Sequence, residues 1–133
     1  MISIIAVGVG GFIGSVLRYI ISLKMNQIFS QTLIPPGTLL VNVFGSLLLG
    51  FIMQLSFRAN INPNLRLFLT TGIMGGLTTF STLSYETITL LTNGYYISSL
   101  LNIVLNLILG LSAAFFGMVI CNVIFWYSKD AVN

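Results

Sequence analysis

The chain is 133 residues long, 56% hydrophobic and only 5% charged, with a formal net charge of +3. A soluble domain carries roughly 25% charged residues. This composition, with a mean hydropathy of +1.05, therefore excludes a soluble globular protein and implies a polytopic membrane protein with a single domain over residues 1–133. The first apolar run, Ile2 to Leu23, carries its one charge, Arg18, in its second half. A signal peptide would place the charge before the apolar core, so this run reads as a retained helix. Lys24 to Pro36 is a polar connector ending in Pro35-Pro36, which stops one helix and can lead into the next. The second helix runs from about Gly37 to Phe57, and Arg58, Asn60, Asn62, Pro63, Asn64 and Arg66 make a polar turn. A third run, about Leu65 to Thr92, is interrupted at Gly75-Gly76. Asn93-Gly94 turns the chain, and Tyr95 and Tyr96 stand as interfacial aromatics before a fourth helix that reaches Trp126 and Tyr127.

The same composition removes most chemistry. There is no histidine, and the acids are Glu86 and Asp130 alone, so His-based acid–base catalysis and a carboxylate metal cluster fall away and an enzyme is not expected. The cations are scattered singly, which argues against nucleic acid and for topology signals at membrane edges. Four spans put both termini on one side with Arg58, Arg66 and Lys129, against Lys24 and an ambiguous Arg18. That weak bias fits two readings: insertion in both orientations, hence an antiparallel dimer, or one preferred orientation.

Each span carries polar or small residues that need an explanation in hydrocarbon. Gly8, Gly10, Gly11 and Gly14 in the first helix are spaced for close helix packing; a dinucleotide fingerprint would need an acid about 20 residues on, and none is there. Arg18 either snorkels to headgroups or gives a vestibule the positive potential that attracts an anion. Asn42, with Ser46 one turn later, is an interhelical hydrogen-bonding group or lines a polar path. The third helix, Thr70-Thr71-Gly72-Ile73-Met74-Gly75-Gly76-Leu77-Thr78-Thr79-Phe80-Ser81-Thr82-Leu83, has the pattern of a helix broken at membrane depth, where carbonyls could coordinate a cation. Amides, hydroxyls and the electropositive edge of Phe80 could equally hold a dehydrated anion. In the fourth helix Asn102, Asn106, Gly110 and Ala114 form a polar-to-small stripe. Four helices with such faces enclose no aqueous pore alone, so an oligomer, most simply a dimer, is expected.

Three stretches, Gly10 to Tyr19, Gly37 to Gly45 and Gly72 to Thr82, make the chain resemble the Fluc (CrcB) family of fluoride channels over nearly its whole length. The resemblance implies an all-α membrane protein of four transmembrane helices with the third broken, assembled as an antiparallel dual-topology dimer in the plasma membrane of a prokaryotic cell. It implies passive export of fluoride from the cytoplasm to relieve fluoride toxicity. By position it makes Asn42 the pathway amide, Phe80 a ring-edge contact, Ser81 and Thr82 flanking hydroxyls, and Arg18 and Thr38 vestibule residues. Gly75 and Thr78 become backbone-carbonyl ligands of a structural sodium ion at the dimer axis. Two departures stand out: the second aromatic of the family's pair is Leu83, and the fourth-helix hydroxyl track falls on Gly110 and Ala114, leaving Asn106 as its nearest polar member. These departures raise a second arrangement, a heterodimer with a homologous subunit. A proton-coupled exporter would need an acid in the first helix, where this chain has none.

Overall fold

The computed structural model describes the backbone of residues 1–130 and the side chains of residues 1–127, so the side chain of Lys129, counted above as a topology signal, lies outside the described residues. Every regular element among the described residues is helical. Helix α1 covers Ile2–Ile28 and α2 covers Pro36–Arg58, with prolines at its cap and first position that preset the entering turn. The third run divides into α3 (Pro63–Leu67), a π-helical segment (Phe68–Met74), α4 (Gly75–Leu77) and α5 (Phe80–Thr92). Gly94, at φ +81°, makes the left-handed turn into α6 (Tyr96–Asp130). Helices α1, α2 and α6 are each long and apolar enough to cross a membrane, and the broken third run packs among them.

Two boundaries differ from the sequence expectation. Helix α1 does not stop at Leu23 but continues through Lys24, Met25, Asn26 and Gln27 to Ile28. Nothing in that stretch breaks a helix, and Phe29 closes the last turn with N–H donated to Met25 O at 3.0 Å. The connector is correspondingly shorter.

The third run breaks at Thr78-Thr79, and the glycines just before it are helical, Gly75 having φ −65° and ψ −35°. Thr78 (ψ 153°) and Thr79 (φ −150°, ψ 118°) are extended, a conformation that β-branched residues adopt readily. The nearby glycine serves packing: a Cβ on Gly76 would lie 2.6 Å from Gly11 O and 3.0 Å from Ser15 N of α1. The π-helical turn upstream is a further irregularity of the kind found at functional sites.

Packing follows the break. The π segment and α4 lie against α1, whereas α5 lies against α6, and α2 makes its most extensive contact with α6. The two halves of the broken helix thus serve different neighbours. Backbones approach closely at both seams. A Cβ on Gly14 would overlap Ile73 O, and one on Gly117 would overlap the Leu47 carbonyl while lying 2.8 Å from Phe51 N, the close approach small residues give helices in lipid. The core proper is small, Val41, Met74 and Leu77 with Ile21, Leu48, Ile52 and Ile73 around it.

Candidate ion pathway at the helix break

The break is held open by one side chain. Where an unbroken helix would send the Thr79 N–H to Gly75 O, it instead donates to Asn42 Oδ1 at 2.8 Å, and Asn42 Nδ2 donates back to Thr79 O at 3.2 Å. An amide that satisfies both backbone groups of one residue substitutes for the lost helical bonds, which hydrocarbon could not supply. Thr79 also caps α5: its Oγ1 accepts from Thr82 N at 3.2 Å and donates to Thr82 Oγ1 at 2.9 Å. The N-terminus of α5, the positive end of its dipole, is thereby fixed at the break.

A polar chain continues behind Asn42. Its Nδ2 also donates to Asn106 Oδ1 at 2.9 Å, Asn106 Nδ2 donates to Asn102 O at 2.9 Å, and Asn102 Nδ2 donates to Thr87 Oγ1 at 3.0 Å. Asn42 is therefore the interhelical hydrogen-bonding group that the sequence offered as one of its two roles, and it also lines a cleft.

Two clefts meet at this seam, and Thr79 lines both. One, of about 290 Å³, brings together Asn42, Phe80, Leu83 and Asn106 with Ser46 and Gly110. The other, of about 370 Å³, brings together Arg18, Thr38, Thr82 and Glu86 with Ser15, Ser22 and Asn26. Arg18 and Thr38, expected together in a vestibule, thus share a cleft. Arg18 is half-buried and donates from Nη1 to Thr78 O at 3.3 Å, so it is tied to the break rather than drawn away to headgroups.

Thr38 is buried and donates to Glu86 Oε1 at 2.8 Å; Glu86 Oε2 is the one buried side-chain nitrogen or oxygen among the described residues that lacks a hydrogen-bond partner. Phe80 is 78% exposed, its ring free of the core, while Leu83 is 6% exposed and packed inward. Ser81 is exposed and lies beside the cap, its Oγ 3.4 Å from Thr79 Oγ1.

The carbonyl ligands expected for sodium can be tested against this geometry. Gly75 is exposed, and its carbonyl has lost the Thr79 N–H to Asn42. Thr78 O accepts only the long bond from Arg18 recorded above. Carbonyl oxygens are the donor type that hard cations take, and here Thr78 O already accepts from the Arg18 guanidinium. No group of three or more His, Cys, Asp or Glu that could hold a metal occurs among the described residues.

Sequence reasoning missed Thr79, Glu86, Asn26 and Thr87. Thr79 was visible as a hydroxyl three residues ahead of Thr82 at a helix start. Glu86 was visible as an acid within a span, which is functional or paired by default. Asn26, whose Oδ1 accepts from Gly37 N at 3.0 Å and so joins α1 to α2, had been placed in the connector. Thr87 had no distinguishing signal.

Three helices able to cross a membrane, a broken helical run between them and a paired amide at the break give the chain the form of a small polytopic membrane protein. Comparison with known proteins gives it a place: the family described as CrcB-like protein, Camphor Resistance (CrcB), matches residues 5–118. The chain belongs to that family. It is 51% identical over 120 residues, 90% of this chain and 93% of the relative, to the "Fluoride-specific ion channel FluC" of Clostridium perfringens. Proteins of the same description from Campylobacter fetus, 44% identical over 92% of this chain and 96% of the relative, and from Methanococcus maripaludis, 41% identical over 95% and 100%, are similar as well.

Proposed function

We propose that this chain is a subunit of a fluoride-selective channel that lets fluoride leave the cytoplasm passively and so relieves fluoride toxicity. The observation that carries the reading is the Asn42–Thr79 seam, a helix break with a cleft on each side, one of them lined by the polar groups of Arg18, Thr38, Thr82 and Glu86. Its relatives' description as fluoride-specific channels supports the choice of ion.

In this reading an anion enters the cleft of Arg18 and Thr38, drawn by the guanidinium, and sheds water as it nears the break. Asn42, the Phe80 ring edge, Ser81 and Thr82 replace that water with N–H, C–H and O–H donors. Leu83 and Asn106 complete the lining. The plasma membrane is the site of action, where the membrane potential drives the anion outward.

The active unit is an antiparallel, dual-topology dimer. Its support is that one subunit leaves several small and polar groups uncovered: Ser15 of α1, Thr71 and Gly75 of the broken run, and Ser81 and Thr82 of α5 are all exposed. Water does not reach such groups in lipid, so a second copy covers them. Gly75 and Thr78 carbonyls, two from each subunit, would hold a structural sodium ion that neutralises their converging dipoles.

A second arrangement, a heterodimer with a homologous subunit, is favoured by one observation: Leu83 and Gly110 bring no polar side-chain atom to the cleft of Asn42 and Phe80. Fluoride retained by cells at acid external pH tests the proposal. Cells making the chain should hold less fluoride than cells making Asn42→Ala; equal retention at equal membrane expression would count against it.

A further inference from the structure

The geometry points to Asn106 as a specificity-determining brake: its amide carbonyl, held facing Asn42, occupies the donor that a dehydrated anion would otherwise take. The inference rests on the reading above that fluoride passes Asn42.

The orientation of both amides is dictated by backbone groups that cannot change roles. Thr79 N can only donate, so the atom 2.8 Å from it is Asn42 Oδ1, and Asn42 Nδ2 must face Thr79 O at 3.2 Å and Asn106 at 2.9 Å. Asn102 O can only accept, so the Asn106 atom 2.9 Å from it is Nδ2, which also lies 3.3 Å from Asn102 Oδ1. Asn106 is left to present Oδ1 to Asn42. An amide nitrogen carries two protons, and both of those on Asn42 are engaged. Turning Asn106 over would set its oxygen against Asn102 O, acceptor facing acceptor, at residues 6% and 0% exposed, where an unmatched polar group is costly.

An anion that is to bind Asn42 must therefore displace the Asn106 carbonyl. Fluoride, small and the strongest hydrogen-bond acceptor among the halides, competes with a neutral carbonyl for that proton; chloride, larger and weaker, does so poorly. The arrangement slows every anion and slows chloride most. It makes Asn106 a source of selectivity rather than a donor that helps the ion through.

Fluoride and chloride efflux from liposomes carrying the full chain, Asn106→Leu and Asn106→Asp tests this, each variant first matched to the parent in helicity and oligomer size. Leucine keeps the volume and removes the acceptor, so fluoride efflux should rise about fivefold, the ratio that one net hydrogen bond is worth, and the fluoride-to-chloride ratio should fall. Aspartate strengthens the competing acceptor but also turns an oxygen toward Asn102 O, so fluoride efflux should fall, and it is the rise with leucine that separates a brake from a structural role. A purely structural Asn106 would slow both variants. Asn106→Ala takes the place of leucine if the larger side chain is not accommodated. No rise with either apolar variant, in a parent that conducts, overturns the brake alone. Silence from parent and variants together overturns the pathway reading and the brake with it.

Discussion

Replacing Asn42 with alanine should undo the local structure of the break as well as any ion path. The substitution removes three hydrogen bonds, of 2.8 Å from Thr79 N, 3.2 Å to Thr79 O and 2.9 Å to Asn106 Oδ1. Side-chain hydrogen bonds between helices in a membrane average about 0.6 kcal/mol each, so the three sum to roughly 2 kcal/mol. Thr79 is 8% exposed, and leaving its N–H without a partner adds on the order of 1 kcal/mol or more. The expected loss is about 2–4 kcal/mol. Ser84→Ala is the matched control. Its hydroxyl donates only to Phe80 O, one turn back at 2.9 Å, and its removal should change stability by less than about 0.5 kcal/mol. Unfolding in mixed micelles titrated with sodium dodecyl sulfate, followed by helicity, measures both. An Asn42→Ala protein within about 0.5 kcal/mol of the parent would refute the claim that this side chain holds the break open.

Further expectations follow from the same contacts. Thr38→Val removes the single hydrogen bond to the Glu86 carboxyl, leaving both its oxygens without a partner, and should cost about 1–3 kcal/mol in the same micelle titration. Gly117→Ala forces a Cβ onto the Leu47 carbonyl and should destabilise by about 1–3 kcal/mol; in Gly110→Ser the Cβ meets Ser46 Oγ at an ordinary 3.7 Å, so stability should be unchanged while the added hydroxyl raises fluoride efflux. Phe80→Ile should keep the parent's stability, because the ring is largely outside the core, yet slow fluoride at least about threefold through loss of the ring edge; unchanged flux would make Phe80 a packing residue only.

Much of the fold was legible because the lipid solvent is exacting. An uninterrupted apolar run of helical length has few alternatives in hydrocarbon, so α1, α2 and α6 could be placed from hydropathy, with errors confined to ends such as Leu23 against Ile28. The presence of a break was legible for the same reason, since clustered hydroxyls and glycines have no place in a plain span. Its position was not. Gly75-Gly76 looks like the weak point locally, but the break sits at Thr78-Thr79 because Asn42, 37 residues upstream of Thr79, captures the Thr79 N–H. That is a tertiary contact that no local pattern records. The site was legible in part on similar grounds: Arg18 and Asn42 stood out as costly groups in lipid. Thr38 followed from family resemblance, and the amide orientations of Asn42 and Asn106 depend on partners visible only in three dimensions.

The central claim, that this chain forms a selective route for fluoride, is tested most directly by liposomes containing only this protein, with potassium and its ionophore setting the potential. Fluoride release well above that of empty vesicles, with chloride retained, is the predicted result. Retention of both anions by a folded, dimeric sample would contradict a channel made by this chain alone, and equal release of fluoride and chloride would contradict selectivity.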